Sequence, residues 1–201
     1  MQTPRQGIFG DSCAVLVSEQ RDATKYLVAD ADVIPGLPAA MKTTTGSAER
    51  GLLDSSVDVT GGETGISYGA FIQLPINAVI GRQNLGDFAS KQATVERRGR
   101  IVVREAVFQT NTPAGQVTIS PFDTGVMPTI ADIGKVLHAV MVSEPLIPGT
   151  PNILKWRVKQ GAGAPFHGFS SVATIVGVSD DSSEIEIDLP GTVVAASTFN
   201  D

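Results

Sequence analysis

The residues of this chain that could carry chemistry are one cysteine, two histidines and two charged segments. Cys13 has no second cysteine with which to form a disulfide, and its place in an apolar run is typical of a small buried residue. His138 and His167 are far apart in the sequence, whereas a zinc site needs clustered cysteine and histidine ligands. We therefore expect no metal site and no cofactor. His138 should be buried in the core or an interface, and His167 should lie at a loop tip or a subunit contact.

Sequence motifs give little support for nucleophilic catalysis or phosphate binding. Residues 65–69, GISYG, match the Gly-x-Ser-x-Gly pattern, but they overlap the start of a predicted strand, whereas a nucleophile elbow is a sharp turn between a strand and a helix. The chain contains no Gly-x-x-x-x-Gly-Lys-Ser/Thr loop. A nucleophile–histidine–acid triad is compatible with the composition, so a small hydrolase on a β scaffold is an alternative. Such an enzyme would bring His138 or His167 within hydrogen-bond reach of a serine and an aspartate. We predict a protein that is not an enzyme and has no catalytic residues.

The strand-like segment 93–108, ATVERRGRIVVREAVF, places four arginines in a chain whose net charge is −6. Alternate residues of a strand face opposite sides, so the segment should have one polar and one apolar face. The polar face is predicted to point outward and to contain Thr94, Glu96, Arg98, Arg100, Val102 and Arg104. The apolar face is predicted to point inward and to contain Val95, Arg97, Gly99, Ile101, Val103 and Val107. Arg97 and Gly99 should mark either a kink or the start of the strand.

The second charged segment, at 183–189, alternates between carboxylates and aliphatic side chains. One face is predicted to contain Glu184, Glu186 and Asp188, and the other Ile185, Ile187 and Leu189. The carboxylates could bind a cation, a basic partner or the arginine segment of the same chain. Hard cations usually take their ligands from a loop. A cross-strand pair of opposite charges within one chain contributes only about 0.2–1 kcal/mol.

Of these interpretations we favour contacts between molecules. The predicted partner-binding residues are Arg97, Arg98, Arg100, Arg104, Glu184, Glu186 and Asp188. The acidic balance of the whole chain argues against a nucleic-acid partner. Aromatic residues that could stack on bases are also missing near the arginines.

The elements that must position these residues are short strands separated by glycine and proline. Strands are predicted at 13–17, 26–29, 66–74, 116–120, 134–143, 153–159, 171–178 and 183–189, with a hairpin turn at 179–182. Residues 130–142 also fit the apolar stripe of a helix, and we favour the strand at 134–143 because of Gly134 and the β-branched residues. Gly69 within a strand indicates a bulge or a close backbone approach. Residues 30–56 and 161–168 are predicted to be loops. We expect an all-β fold, either a β-sandwich or a small β-barrel with an extended N-terminal arm and long loops. The arm with short strands should span 1–55 and the β-rich core domain 56–201.

The chain shows neither a secretory signal nor an apolar run of the roughly 20 residues that a membrane helix needs. We expect a protein made in a cytoplasm that does not bind membranes.

Two segments carry a family resemblance. Residues 65–72, GISYGAFI, followed after a gap by 95–103, VERRGRIVV, resemble the capsid decoration, or structural cement, proteins of tailed bacteriophages. The resemblance covers about residues 47–120, and the section after Ile130 departs from the family's pattern.

This resemblance implies a virion protein on the outer capsid surface, assembled in the host cytoplasm. It implies a homotrimer that bridges neighbouring subunits of the major capsid protein. One alternative is a β-sandwich module of a virion that binds a receptor or carbohydrate. Such a module would favour exposed aromatic side chains, and aromatic residues make up only 5% of the chain.

Overall fold

The computed structural model describes residues 13–27, 35–43, 53–54, 62, 64–73, 92–109, 116–123, 127–142, 153–159 and 165–200. Most of them lie in strands, and the helical segment among them is one 3₁₀ turn, Ile130–Asp132. The strands are β1 (Cys13–Leu27), β2 (Pro38–Lys42), β3 (Leu53–Asp54), β4 (Gly65–Gln73), β5 (Gln92–Arg104), β6 (Ala106–Gln109), β7 (Gln116–Ile119), β8 (Val136–Val142), β9 (Ile153–Val158), β10 (Pro165–Val178), β11 (Glu184–Pro190) and β12 (Ser197–Asn200). The prediction of an all-β fold is confirmed.

Ten of the described strands form one antiparallel sheet with β5 near its middle. The order is β3-β2-β4-β5-β11-β10-β8-β9, with β1 paired to β5 and β12 paired to β10. β5 pairs with β4 at residues 94–96 and with β11 at residues 98–104, while β1 runs beside both parts. Because a strand has two edges, β4 and β11 share one edge of β5 and β1 occupies the other. β6 and β7 form a separate hairpin.

The branching at β5 lets the sheet curl into a half-barrel around the core. The segment after β11 returns to β4, where the Ser67 amide donates to the Val194 carbonyl at 2.8 Å. The indole Nε1 of Trp156 in β9 donates to the Gly36 carbonyl just before β2, at 2.7 Å. Trp156 is 1% exposed. Strands from both ends of the sheet therefore enclose the same core.

Several strand predictions are confirmed. The predicted segments at 66–74, 116–120, 134–143 and 153–159 correspond to β4, β7, β8 and β9. The segments at 171–178 and 183–189 lie in β10 and β11, and the Ser182 amide closes the predicted turn by donating to the Ser179 carbonyl. Residues 13–17 and 26–27 belong to β1, whereas 28–29 lie outside the described residues.

Two loop predictions are wrong in part. Residues 30–56 contain β2 and β3, and Pro38, Ala39 and Ala40 of β2 are all buried. A strand buried on both faces shows no alternation of polar and apolar residues, so the pattern did not reveal it. Residues 161–168 contain the start of β10. Gly168 has φ +145, and a Cβ there would lie 2.1 Å from the Ala139 carbonyl oxygen. This glycine permits close strand contact rather than a flexible loop.

The division of the chain at residue 55 stays a prediction. Within residues 1–55, strands β1, β2 and β3 pair with the same sheet as the later strands. Residues 1–12, 28–34, 44–52 and 55 lie outside the described part of the chain.

Candidate partner-binding face

The second half of β5 alternates as predicted. Ile101 and Val103 are fully buried, whereas Arg98 and Arg100 are exposed and Arg104 is half-buried. This part pairs without a break with β11 from Arg98 to Arg104. A regular ladder keeps successive side chains on opposite faces, so the arginines point away from the core.

The first half of β5 departs from the prediction at Glu96. This carboxylate was expected on the outward face, but it is 0% exposed. The register with β1 shifts there, because Gln20 pairs with Arg98 and Arg21 pairs with Glu96, which leaves Arg97 without a partner position on β1. One extra residue reverses the side-chain parity of a strand. The shift also confirms the expected irregularity near Arg97.

The buried Glu96 carboxylate is held by two side chains of β1. Ser18 Oγ donates to Glu96 Oε1 at 2.9 Å, and Arg21 Nε lies 3.3 Å from Glu96 Oε2. A buried charge is tolerated only when it is paired and hydrogen-bonded. Glu96 therefore fastens β1 to β5 and does not belong to a surface site.

Arg97 is separated from the other predicted partner-binding residues. Its guanidinium carbon lies 4.4 Å from the centroid of the Tyr68 ring of β4, and its side chain is half-buried. A cation over an aromatic face at this distance is an attractive contact. Arg97 thus packs against a neighbouring strand instead of standing in the row formed by the other arginines.

The remaining arginines of β5 face the carboxylates of β11 across the ladder. Arg104 Nη1 lies 3.3 Å from Glu184 Oε1. Arg100 lies 3.5 Å from Glu186 through Nη1 and 3.7 Å from Asp188 through Nε. Ile185, Ile187 and Leu189 are buried on the other side, as the alternation of this segment predicted. The fold thus supplies partners for these arginines within one copy, although we expected contacts between molecules.

Arg98 has its ion-pair partner on the opposite side of β5. Its Nε lies 2.8 Å from Glu19 Oε2 of β1, and both side chains are more than half exposed, at 59% and 53%. Exposed ion pairs contribute between about 0 and 1 kcal/mol each. These pairs therefore orient the side chains without adding much to the free energy of unfolding.

Two aliphatic residues beside the arginines escaped the sequence analysis. Leu16 and Val17 of β1 are 53% and 47% exposed, although they lie in the apolar run CAVLV, which fits a buried strand as well as an edge strand. Val15 pairs with Ile101 and Val17 pairs with Arg100, so Leu16 is an extra residue on β1. Such a bulge places Leu16 and Val17 on the outer side together. The composition of the segment carries no signal of this bulge.

β10 has an equivalent bulge at the other side of the carboxylates. Ile175 pairs with Ile187 and Gly177 with Glu186, so Val176 is the extra residue. Val176 and Thr174 are half-buried, and Thr174 pairs with Asp188. We use the term outer face for the outward side of β1, β5, β11 and β10, which comprises Leu16, Val17, Glu19, Arg98, Arg100, Arg104, Glu184, Glu186, Asp188, Thr174 and Val176.

The two histidines lie away from the outer face. His138 is 1% exposed, accepts a hydrogen bond on Nδ1 from the Ser171 amide at 2.8 Å, and lies beside the Phe199 ring. Its predicted burial is confirmed. His167 lies in β10 rather than at a loop tip, with Nδ1 2.9 Å from the Thr198 hydroxyl. The predicted loop position is wrong because the glycine-rich stretch continues as a strand.

Cys13 is a core residue, as predicted, and is 4% exposed. Desolvation by burial raises the pKa of its thiol to about 12, although the nearby positive charge of Arg104 acts in the opposite direction. A thiol with such a pKa stays protonated near neutral pH and is a poor nucleophile.

Within the described residues, no group of three or more His, Cys, Asp or Glu side chains could hold a metal ion. The same residues include no helix that is long and apolar enough to cross a membrane. No protein-family model, curated protein or solved structure matches the chain. The family resemblance therefore depends on the residues of β4 and β5 alone.

Proposed function

We propose that this chain is a structural virion protein that decorates a phage capsid and stabilises it by bridging neighbouring major capsid protein subunits. The outer face is the observation that carries the proposal. All of the predicted partner-binding residues except Arg97 lie on it. Two exposed aliphatic residues, Leu16 and Val17, stand directly beside the arginines.

The composition of the outer face is that of a contact surface. Protein interfaces combine apolar anchors with a polar surround, and arginine is frequent in them. On this face the anchors are Leu16 and Val17, and the surround is a set of charged side chains held in defined positions by ion pairs. A surface that spans several neighbouring strands in this way suits another protein surface better than a small substrate.

The resemblance to decoration proteins gains support from the pairing of its two segments. Ala70 of β4 pairs with Glu96 of β5, and Phe71 pairs with Val95. The matched residues thus form two adjacent antiparallel strands in the middle of the sheet. They position the arginines of the outer face, so the resemblance and the face belong to one structural unit.

The alternative of a carbohydrate-binding module gains no such support. Sugar binding by stacking needs aromatic rings on the surface, and several aromatic side chains of the described part are buried: Tyr68, Phe71, Phe122, Trp156 and Phe169.

Binding to capsids tests the proposal. Empty capsids assembled from the major capsid protein of the virus that encodes this chain are mixed with the purified protein and sedimented. We expect saturable co-sedimentation. An Arg98→Ser/Arg100→Ser variant should bind at least about tenfold more weakly, because roughly 1.4 kcal/mol of lost contact energy is a factor of ten. Its melting temperature should stay close to that of the parent protein.

The matched control is Lys135→Ser/Lys159→Ser, which removes the same charge from two exposed lysines that are not part of the outer face. This variant should bind capsids like the parent protein. A parent protein that fails to co-sediment would contradict the proposal. Molar mass in solution tests the homotrimer that the resemblance implies.

A further inference from the structure

We propose that the outer face binds the outer face of a second copy of this chain around a two-fold axis. This proposal deepens the proposed function and rests on it in one respect. The second copy covers the outer face, so the dimer is the unit that bridges capsid subunits, and substitutions in the outer face weaken capsid binding by separating the two copies. The observation behind it is the order of the side chains across the four strands. β1 presents Leu16, Val17 and the carboxylate of Glu19, β5 presents arginines, β11 presents carboxylates, and β10 presents the uncharged Thr174 and Val176.

This order is self-complementary. Read across the sheet, the two central rows are basic on β5 and acidic on β11. The flanking rows hold Leu16, Val17 and Glu19 on β1 and uncharged side chains on β10. A two-fold axis that runs parallel to the strands, midway between β5 and β11, places β5 of one copy over β11 of the other. The same rotation places β1 over the partner's β10. Every arginine row then meets a carboxylate row, and Leu16 and Val17 meet uncharged side chains.

The spacing of the rows agrees with ordinary sheet packing. Neighbouring strands are about 4.8 Å apart and packed sheets about 10 Å apart, so long side chains from both faces can reach the opposing row. Arg98 and Arg100 retain 59% and 50% exposure after forming their pairs within the chain. A guanidinium has five N–H donors and a carboxylate about four acceptor positions, so each group can take a second partner.

The pairs within one copy leave room for those second partners. Arg100 contacts Glu186 and Asp188 at 3.5 and 3.7 Å, which is longer than the usual 2.7–2.9 Å of a charge-assisted hydrogen bond. Glu184 and Asp188 are 48% and 45% exposed. The pairing of β5 with β11 orients these side chains but leaves some of their hydrogen-bond donors and acceptors available for a second partner.

A second copy fits this face better than a cyclic trimer does. A two-fold interface uses the same patch on both subunits, whereas a ring needs two different patches that complement each other. The complement of the outer face is the outer face itself. We therefore expect a dimer in place of the trimer that the resemblance implies.

The association should weaken as salt is added. Charge contacts at an interface are screened at high ionic strength, because the Debye length falls from about 10 Å at 0.1 M to 3 Å at 1 M. We expect sedimentation equilibrium to show dimers at 50 mM NaCl and a dissociation constant at least about tenfold larger at 500 mM NaCl. A dimer held by apolar contacts alone would be unaffected or tightened by salt, and that result would overturn the proposal.

A charge-swap experiment separates contacts between copies from contacts within one copy. The acidic variant is Arg98→Glu/Arg100→Glu, and the basic variant is Glu186→Lys/Asp188→Lys. Each variant places like charges opposite each other in a homodimer, so each should be monomeric. An equimolar mixture should form a heterodimer, because the acidic face of one then meets the basic face of the other.

The control is Lys135→Glu/Lys159→Glu, which changes the net charge as much as the acidic variant at two exposed lysines outside the four strands of the outer face. It should dimerise like the parent protein. Leu16→Ser/Val17→Ser gives a second test that leaves all ion pairs in place, and it should raise the dissociation constant at least about fivefold. If circular dichroism shows that a charge variant does not fold, the Leu16→Ser/Val17→Ser variant tests the proposal in its place.

A parent protein that is monomeric at 100 µM in 50 mM NaCl would overturn the proposal. So would folded charge variants that stay monomeric when mixed, or a Leu16→Ser/Val17→Ser variant that dimerises like the parent. Capsid binding by a monomer would refute the dimer and leave the proposed function standing. A salt-sensitive dimer that ignores capsids would refute the proposed function and leave the dimer standing.

Discussion

At the scale of the residue, Cys13 shows how burial decides chemistry. The thiol lies in the core beside the Gly36 backbone, and loss of solvent there raises its pKa to about 12. The positive charge of Arg104 lowers the pKa but does not offset the desolvation. The residue that could be most reactive in an exposed position is thus inert in the fold.

The raised pKa makes stability depend on pH in the alkaline range. The native thiol holds its proton more tightly than the unfolded thiol, whose pKa is about 9. The resulting stabilisation is complete below pH 9 and is lost as the pH rises from 9 to 12, at about 1.4 kcal/mol per pH unit. Between pH 9 and 10.5 the free energy of unfolding should fall by about 2 kcal/mol more in the parent protein than in Cys13→Ala.

Urea denaturation of both proteins at pH 7, 9 and 10.5 measures this difference. Titration of other groups is common to both proteins and cancels in the comparison. Equal losses in the parent protein and in Cys13→Ala would contradict the prediction.

At the scale of the element, the close approach of β4 to β5 depends on a single glycine, Gly69. Gly69 has φ +105, and a Cβ at this position would lie 2.0 Å from the Glu96 carbonyl oxygen. A glycine within a predicted strand indicated a bulge or a close backbone approach at this residue. Both are present, since the β2–β4 register shifts beside it.

Replacing Gly69 with alanine should therefore destabilise the protein strongly. We expect Gly69→Ala to lower the free energy of unfolding by about 3 kcal/mol or more, because the strands must separate to admit the methyl group. Gly134→Ala is the matched control, since Gly134 has φ +84 but open space around its Cβ position. It should cost only about 1–2 kcal/mol, the penalty of the left-handed backbone. Chemical denaturation measures both; similar losses would show that the close approach is unimportant.

Strand alternation was predictable where the ladder is regular and unpredictable where it is not. β11 pairs without a shift with β5, so its carboxylates and aliphatic residues lie on the faces that the sequence predicted. The extra residues Arg97 and Leu16 locally reverse the side of the sheet that the following side chains face. Glu96 is buried and Leu16 and Val17 are exposed as a result. A bulge depends on the partner strand, and no local pattern encodes it.

At the scale of the whole molecule, early and late parts of the chain share one core. β1 pairs along β5, and the Trp156 indole in β9 donates to Gly36 ahead of β2. The core includes Cys13 and Ala40 from the first strands as well as Phe169 and Ile187 from the last.

We therefore expect unfolding in one cooperative transition. Trp156 is the one tryptophan of the chain, so its fluorescence reports on the contact between β9 and the segment before β2. Far-ultraviolet circular dichroism reports on the whole sheet. The two signals should give the same midpoint in urea, as they do for a two-state domain. Separate midpoints would instead indicate that residues 1–55 unfold independently of the remainder.

The sequence by itself determined the all-β class, most strand positions, the buried cysteine and His138, and the two faces of β11. These follow from composition and from the two-residue period of a strand, which are local properties. Only the tertiary structure decided that β5 and β11 are neighbours, that their charges pair within one copy, and that two bulges turn aliphatic residues outward. Strand order and register arise from contacts between residues far apart in the chain, so no segment contains them on its own.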